Sequence, residues 1–332
     1  MAIVGRNYKI DSLRIAASFA VVMLHTAAGY LVKLHSSDSM AWWVANFFDA
    51  SCRWSVPVFI LISGSLLLRS EEPIFTFFRK RFFRICIPLI FWSVLYLCIR
   101  VFIFKNIKIN DIPVVLMAGA PYVHLWYLYM LIGLYLVFPI LRKFVKSVNK
   151  AFGVCFVVFL SLLSVANLFL DWIPDFFLVK FVPFLCYFLG GYFLGDVQLS
   201  VKGLRLAFLL VVLIFLTALS AGWAIHFYGI KGLWVAYDYL SPLVIIVSFL
   251  IFSLPVQEFP SFPTDVSLSE SSFGIYLIHP LFLIPLGFMF SISNALYLFV
   301  LIPVMSFFVF FASWKVVVLV RRFPFGRGVF GG

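Results

Sequence analysis

Arg14 and His25 stand eleven residues apart in the segment IDSLRIAASFAVVMLHTAAGY. Ionisable side chains are costly inside an apolar helix, so each is a functional candidate. Eleven residues make close to three helical turns, so both side chains share a face, about 16 Å apart along the axis. Ser18, one turn above Arg14, joins that stripe, and Asp11, three residues before Arg14, can pair with it. A neutral imidazole at His25 can take a proton from a hydroxyl, which is general-base chemistry. The guanidinium of Arg14 suits a phosphate. The competing readings are an arginine that snorkels to the interface and a histidine buried with a structural hydrogen bond.

Four further polar groups interrupt the apolar background. Asp49 and Arg53 are four apart and can form an ion pair, while Ser55, Ser63 and Gly64 give small packing points between helices. Arg79, Lys80, Arg81 and Arg84 crowd into six residues, enough cations to hold a phosphate or simply to anchor a span. His124, Trp126, Tyr127 and Tyr129 open a later span, where aromatic residues form an interfacial belt or stack on sugar rings. His279 precedes Pro280 in another apolar stretch. The five cysteines, at 52, 86, 98, 155 and 186, have no metal-ligand spacing, and no metal is expected.

The elements that carry these groups are membrane helices. Of 332 residues, 64% are hydrophobic, 11% are charged and 43 are Phe. A soluble domain has about 25% charged residues, so lipid must be the main solvent here. The expected fold is all-α and polytopic in one domain, residues 1–332, with spans near 11–32, 53–69, 83–104, 124–141, 151–170, 177–196, 204–226, 238–256, 271–291 and 294–319. Pro57, Pro183 and Pro280 interrupt three of them. The formal charge of +12 reads as topology rather than nucleic-acid binding. With both termini inside, only seven of the 25 Lys and Arg residues lie outside: Lys33, Arg53, Arg100, Lys105, Lys108, Lys180 and Lys231. The inner set includes Arg6 and Lys202. The acidic segment 257–270, with Glu258, Asp265 and Glu270, also falls inside, and acidic residues count little in this bias. No cleavable signal peptide and no appended soluble domain are expected.

In order, these pieces resemble the acyltransferase-3 family of membrane acyltransferases. Arg14, ten residues, His25 is similar to its first signature, SVPVFILISG (55–64) to its second-span motif, and RKRFFRICIP (79–88) to its basic motif. HLWYL (124–128) resembles its fourth-span opening and FGIYLIHP (273–280) its late motif. The family's Arg, three residues, Arg spacing falls here on Lys80 and Arg84, with Arg81 beside them. The likeness is greatest to single-module O-acetyltransferases of bacterial surface glycans, of the type that acts on enterobacterial common antigen. It implies a multi-pass protein of the bacterial inner membrane that moves an acetyl group from acetyl-coenzyme A to a hydroxyl of a glycan or its lipid-linked precursor. His25 would be the catalytic base, with Arg14 and Asp11 beside it in the catalytic set. Lys80, Arg81, Arg84 and Arg14 would hold the cofactor phosphates, and Arg53, His124, Trp126, Tyr127 and His279 the acceptor. The rival is a transporter or flippase, whose buried Arg and His would line a path or relay protons. Acetyl-coenzyme A binding separates the two.

Overall fold

A computed structural model describes residues 7–34, 37–174, 176–197, 203–254, 266–289 and 294–332. Arg6, Lys202, Glu258 and Asp265, and the predicted span ends at 255–256 and 290–291, lie outside the described residues. Among those described, helices account for all the regular structure. Seven stretches are long and apolar enough to cross a membrane: Tyr8–Leu34, Met40–Leu67, Ile74–Ile103, Trp126–Ser147, Lys150–Leu170, Gly203–Ala236 and Ala295–Val320. The shorter apolar helices Val182–Leu194 and Pro242–Phe252, and the 24-residue helix Val266–Met289, bring the pattern to the ten segments predicted. The chain is a polytopic helical membrane protein.

It packs as two compact units, Met1–Ile62 with Leu194–Val318, and Ser63–Phe193 with Leu319–Gly332. In the first, α1 (Tyr8–Leu34) packs against α2 (Met40–Ala50), which Ser39 caps by accepting from the Trp42 amide at 3.1 Å. α3 (Ser55–Leu67) follows after one turn, α9 (Gly203–Ala236) packs on α2, and α10 (Pro242–Phe252) packs on α9. Asn46 of α2 donates to the Ala218 carbonyl of α9 at 2.9 Å. α11 (Val266–Met289) lies along α1. Three rungs show the two running parallel: Ser269 meets Asp11, His279 meets His25, and Lys33 donates to the Gly287 carbonyl. α12 (Ala295–Val320) adds Val309 and Phe310 to the core formed by Val22 and Ile275.

In the second unit, α4 (Ile74–Cys98) packs against α6 (Trp126–Ser147). The short α5 (Ile112–Met117) precedes α6, α7 (Lys150–Leu170) follows it, and α8 (Leu185–Leu194) and α13 (Pro324–Val329) complete the set. Phe77, Ile85, Leu89, Trp92 and Tyr96 form the buried stripe of α4 at helical spacing, and Trp92 Nε1 donates to the Val329 carbonyl at 3.0 Å.

Two boundaries differ from the sequence expectation. The third span begins at Ile74 rather than 83, so the basic run lies within α4 instead of at its mouth. Arg and Lys are good helix formers, and Phe77, stacked on Phe138 at 3.9 Å, anchors the extra turns. The second span begins at Met40 rather than 53, as two helices broken at 51–54. Asp49 and Arg53 masked that earlier start, because a charged pair reads as loop until its burial is seen.

Candidate active site

The first unit gathers His25, His279, Asp49 and Arg53. His25 and His279 face each other across the α1–α11 contact, ring centroids 5.2 Å apart and planes tilted by 34°. His279 has no accessible surface, whereas His25 is half-buried, so His25 is the imidazole that incoming groups can reach. His279 Nδ1 lies 3.1 Å from the Ile275 carbonyl. A carbonyl only accepts, so Nδ1 carries the hydrogen and Nε2 the lone pair. Pro280 lacks an N–H, which frees a carbonyl in this turn, and the imidazole that precedes it bonds back into the same turn. The carbonyl that Pro280 frees is that of Tyr276, one residue on from the carbonyl that His279 contacts.

The ion pair sits where α2 gives way to α3. Asp49 is 0% exposed and Arg53 7%. Arg53 Nε donates to Asp49 Oδ1, and Nη1 donates to the Tyr237 carbonyl at 3.0 Å. The guanidinium also lies 4.2 Å from the centre of the Tyr237 ring. Tyr237 is fixed in turn: its hydroxyl donates to Asn46 Oδ1 and lies 2.9 Å from the Asn46 carbonyl oxygen. Ala20, Leu24 and Cys52 pack together with Trp54 and Tyr239 against them, which brings the neighbours of His25 onto the neighbours of Arg53. Arg53 and His25 are within electrostatic range of each other.

Arg14 and Asp11 occupy the other end of α1. Asp11 accepts from the Ser269 hydroxyl at 2.6 Å and lies 4.0 Å from Arg14 Nη1. Fourteen residues separate Asp11 from His25, about 21 Å along the axis. Asp11 therefore anchors Arg14 and Ser269 without touching the imidazole.

The remaining sequence-predicted residues lie in the second unit. Lys80 pairs with Glu72. Arg81 turns inward, its guanidinium 5.3 Å from the Phe77 ring centre, and its buried Nε has no hydrogen-bond partner. Arg84 is exposed. Arg142 sits 5.2 Å over Phe138, so two guanidiniums flank the stacked Phe77–Phe138 pair. Lys146 bonds both oxygens of Glu71, at 2.8 and 2.9 Å, and holds that carboxyl below the usual range. His124 is buried, edge-on to Tyr96 and Tyr122 at 5.1 and 5.7 Å. Trp126 leans on Phe184 at 5.3 Å, and Tyr127 is buried. Among the described residues, no group of three or more His, Cys, Asp and Glu side chains is placed to hold a metal.

Sequence reasoning missed Tyr237, Asn46 and Ser269. The signal for the first was present: Tyr237, Asp238 and Tyr239 interrupt two apolar stretches just before Pro242.

A helical membrane protein that sets two imidazoles near a guanidinium fixed by its neighbours has the equipment of a group-transfer enzyme: a base, and a cation for developing negative charge. The family model described as the acyltransferase domain matches residues 7–316, and the chain belongs to this acyltransferase-3 family. It is a membrane acyltransferase. No curated protein and no solved structure matches the chain.

Proposed function

We propose that this protein is an O-acetyltransferase that moves an acetyl group from acetyl-coenzyme A to a hydroxyl of a bacterial surface glycan or its lipid-linked precursor, of the type that acts on enterobacterial common antigen. The observation that carries the reading is the His25–His279 pair, an accessible ring against an enclosed one, in a member of an acyltransferase family. A sugar hydroxyl is a poor nucleophile near neutral pH. His25, the accessible imidazole, takes its proton as the oxygen attacks the thioester carbonyl, a gain of roughly a hundred- to ten-thousand-fold. His279, its tautomer fixed by Ile275, orients that ring. The acyl donor comes from the cytoplasm, the side to which the charge bias assigns both termini, Arg14 and the α4 cations. The acceptor approaches from the outer side of the inner membrane.

Purified protein should bind acetyl-coenzyme A, which a flippase has no reason to do. Replacing Arg81 or Arg84 with Gln should weaken that binding about ten-fold or more, since a charge-assisted hydrogen bond is worth about 1.5–3 kcal/mol. Mass analysis of surface glycans from cells with and without the gene should show acetyl groups only in its presence. Absence of cofactor binding, or unchanged glycans, would overturn the reading.

A further inference from the structure

We infer that Arg53 is a catalytic residue that donates a hydrogen bond from Nη2 to the oxyanion formed when the thioester carbonyl is attacked. This rests on the acetyl-transfer reading above and adds a second reacting partner to the same site.

Burying two charges is expensive, and their mutual attraction seldom recovers all of it. Asp49 and Arg53 are buried together at the break of the Met40–Leu67 span, and Asp49 Oδ2 is buried with no hydrogen-bond partner. A site built only for packing would hold apolar groups there. The guanidinium is also preorganised. Asp49 holds Nε, the Tyr237 carbonyl holds Nη1, and the Tyr237 ring covers one face of the guanidinium. Tyr237 is itself tied to Asn46, and Asn46 to the Ala218 carbonyl. Nη2 is the part of the group that these contacts leave over. Donors fixed before the reaction, in a site shielded from water, stabilise developing charge most. The packing of Ala20 and Leu24 with Cys52, Trp54 and Tyr239 brings the turn that carries Arg53 against the part of α1 that carries His25, within electrostatic range of that ring.

The step balances with these groups alone. The acceptor oxygen bonds to the carbonyl carbon as its proton passes to His25, and the carbonyl electron pair moves onto oxygen, facing Arg53. Collapse re-forms the carbonyl, breaks the carbon–sulfur bond, and the thiolate takes the proton from the imidazolium. Ester and free coenzyme A thiol leave.

The test follows free thiol released from acetyl-coenzyme A by the purified full-length protein in lipid nanodiscs, with an unacetylated surface-glycan extract as acceptor. Arg53→Gln should lower kcat by about a hundred- to a thousand-fold while KM stays within about three-fold. If Arg53→Gln does not fold, Arg53→Lys decides. It keeps the charge and the pair with Asp49, but its single ammonium cannot also reach the reacting oxygen, so kcat should fall at least about ten-fold. Wild-type kcat in Arg53→Lys, or a rise in KM with kcat retained, would overturn the assignment and leave the acetyl-transfer reading standing. Failure of the wild-type protein to release thiol would overturn both.

Discussion

His25 and His279 lie more than 250 positions apart in the sequence and 5.2 Å apart in the fold. Their meeting explains why two apolar helices each carry an imidazole. The accessible ring and the enclosed ring should respond differently to the same change. His25→Gln keeps size and hydrogen bonding but cannot accept a proton, so acetyl transfer should fall by about a hundred- to ten-thousand-fold with acetyl-coenzyme A affinity kept. His279→Gln should lower transfer less, because it loosens the orientation of His25 without removing the base. Steady-state rates for both variants, beside cofactor titrations, check this order. A fully active His25→Gln would end the catalytic assignment. The spacing of Arg14 and His25 was readable from helical periodicity alone. The Tyr237 contact was not, because it joins α9 to the turn after α2 across 184 positions, and no local pattern encodes that.

At the scale of helices, the apolar runs marked nearly every span, since a membrane helix must be long and apolar to satisfy its backbone. Boundaries were less legible where charge enters a helix, as in α4, or where a span is assembled from two helices, as at 51–54. Close approach was also hidden. Gly64 looked like a small packing residue, and the structure shows how small it must be: a Cβ there would lie 1.8 Å from the Phe188 carbonyl oxygen. That oxygen belongs to the backbone of α8 and cannot rotate away. Gly64→Ala should therefore destabilise the protein by about 1–3 kcal/mol, read as a lower thermal midpoint in detergent. Gly29 in α1 is the matched control, with nothing within 4 Å of the added carbon. Gly29→Ala should be neutral or stabilise by up to about 1 kcal/mol through helix propensity. Equal midpoints for the two variants would contradict the packing.

For the molecule as a whole, composition decided the solvent and charge suggests the orientation. Large apolar side chains such as Phe208, Val211, Phe215, Phe299 and Phe307 stand exposed along α9 and α12, as lipid-facing residues do. The excess of basic residues on one side of the spans favours both termini in the cytoplasm, and the proposed function requires that side, because the acetyl-coenzyme A it invokes is a cytoplasmic donor. If Arg81 and Arg84 receive its phosphates, the α4 cations and the basic C-terminal end of α6 must lie inside, and the segment between α4 and α5 outside. Asn106 and Ser147 are exposed residues in those two stretches. With Cys86, Cys98 and Cys155 replaced by Ala, Asn106→Cys should react with a membrane-impermeant maleimide on intact spheroplasts. Ser147→Cys should react only after permeabilisation. The opposite pattern would place the cations of α4 away from the cofactor, and the phosphate role of Arg81 and Arg84 would fall while the imidazole pair kept its chemistry.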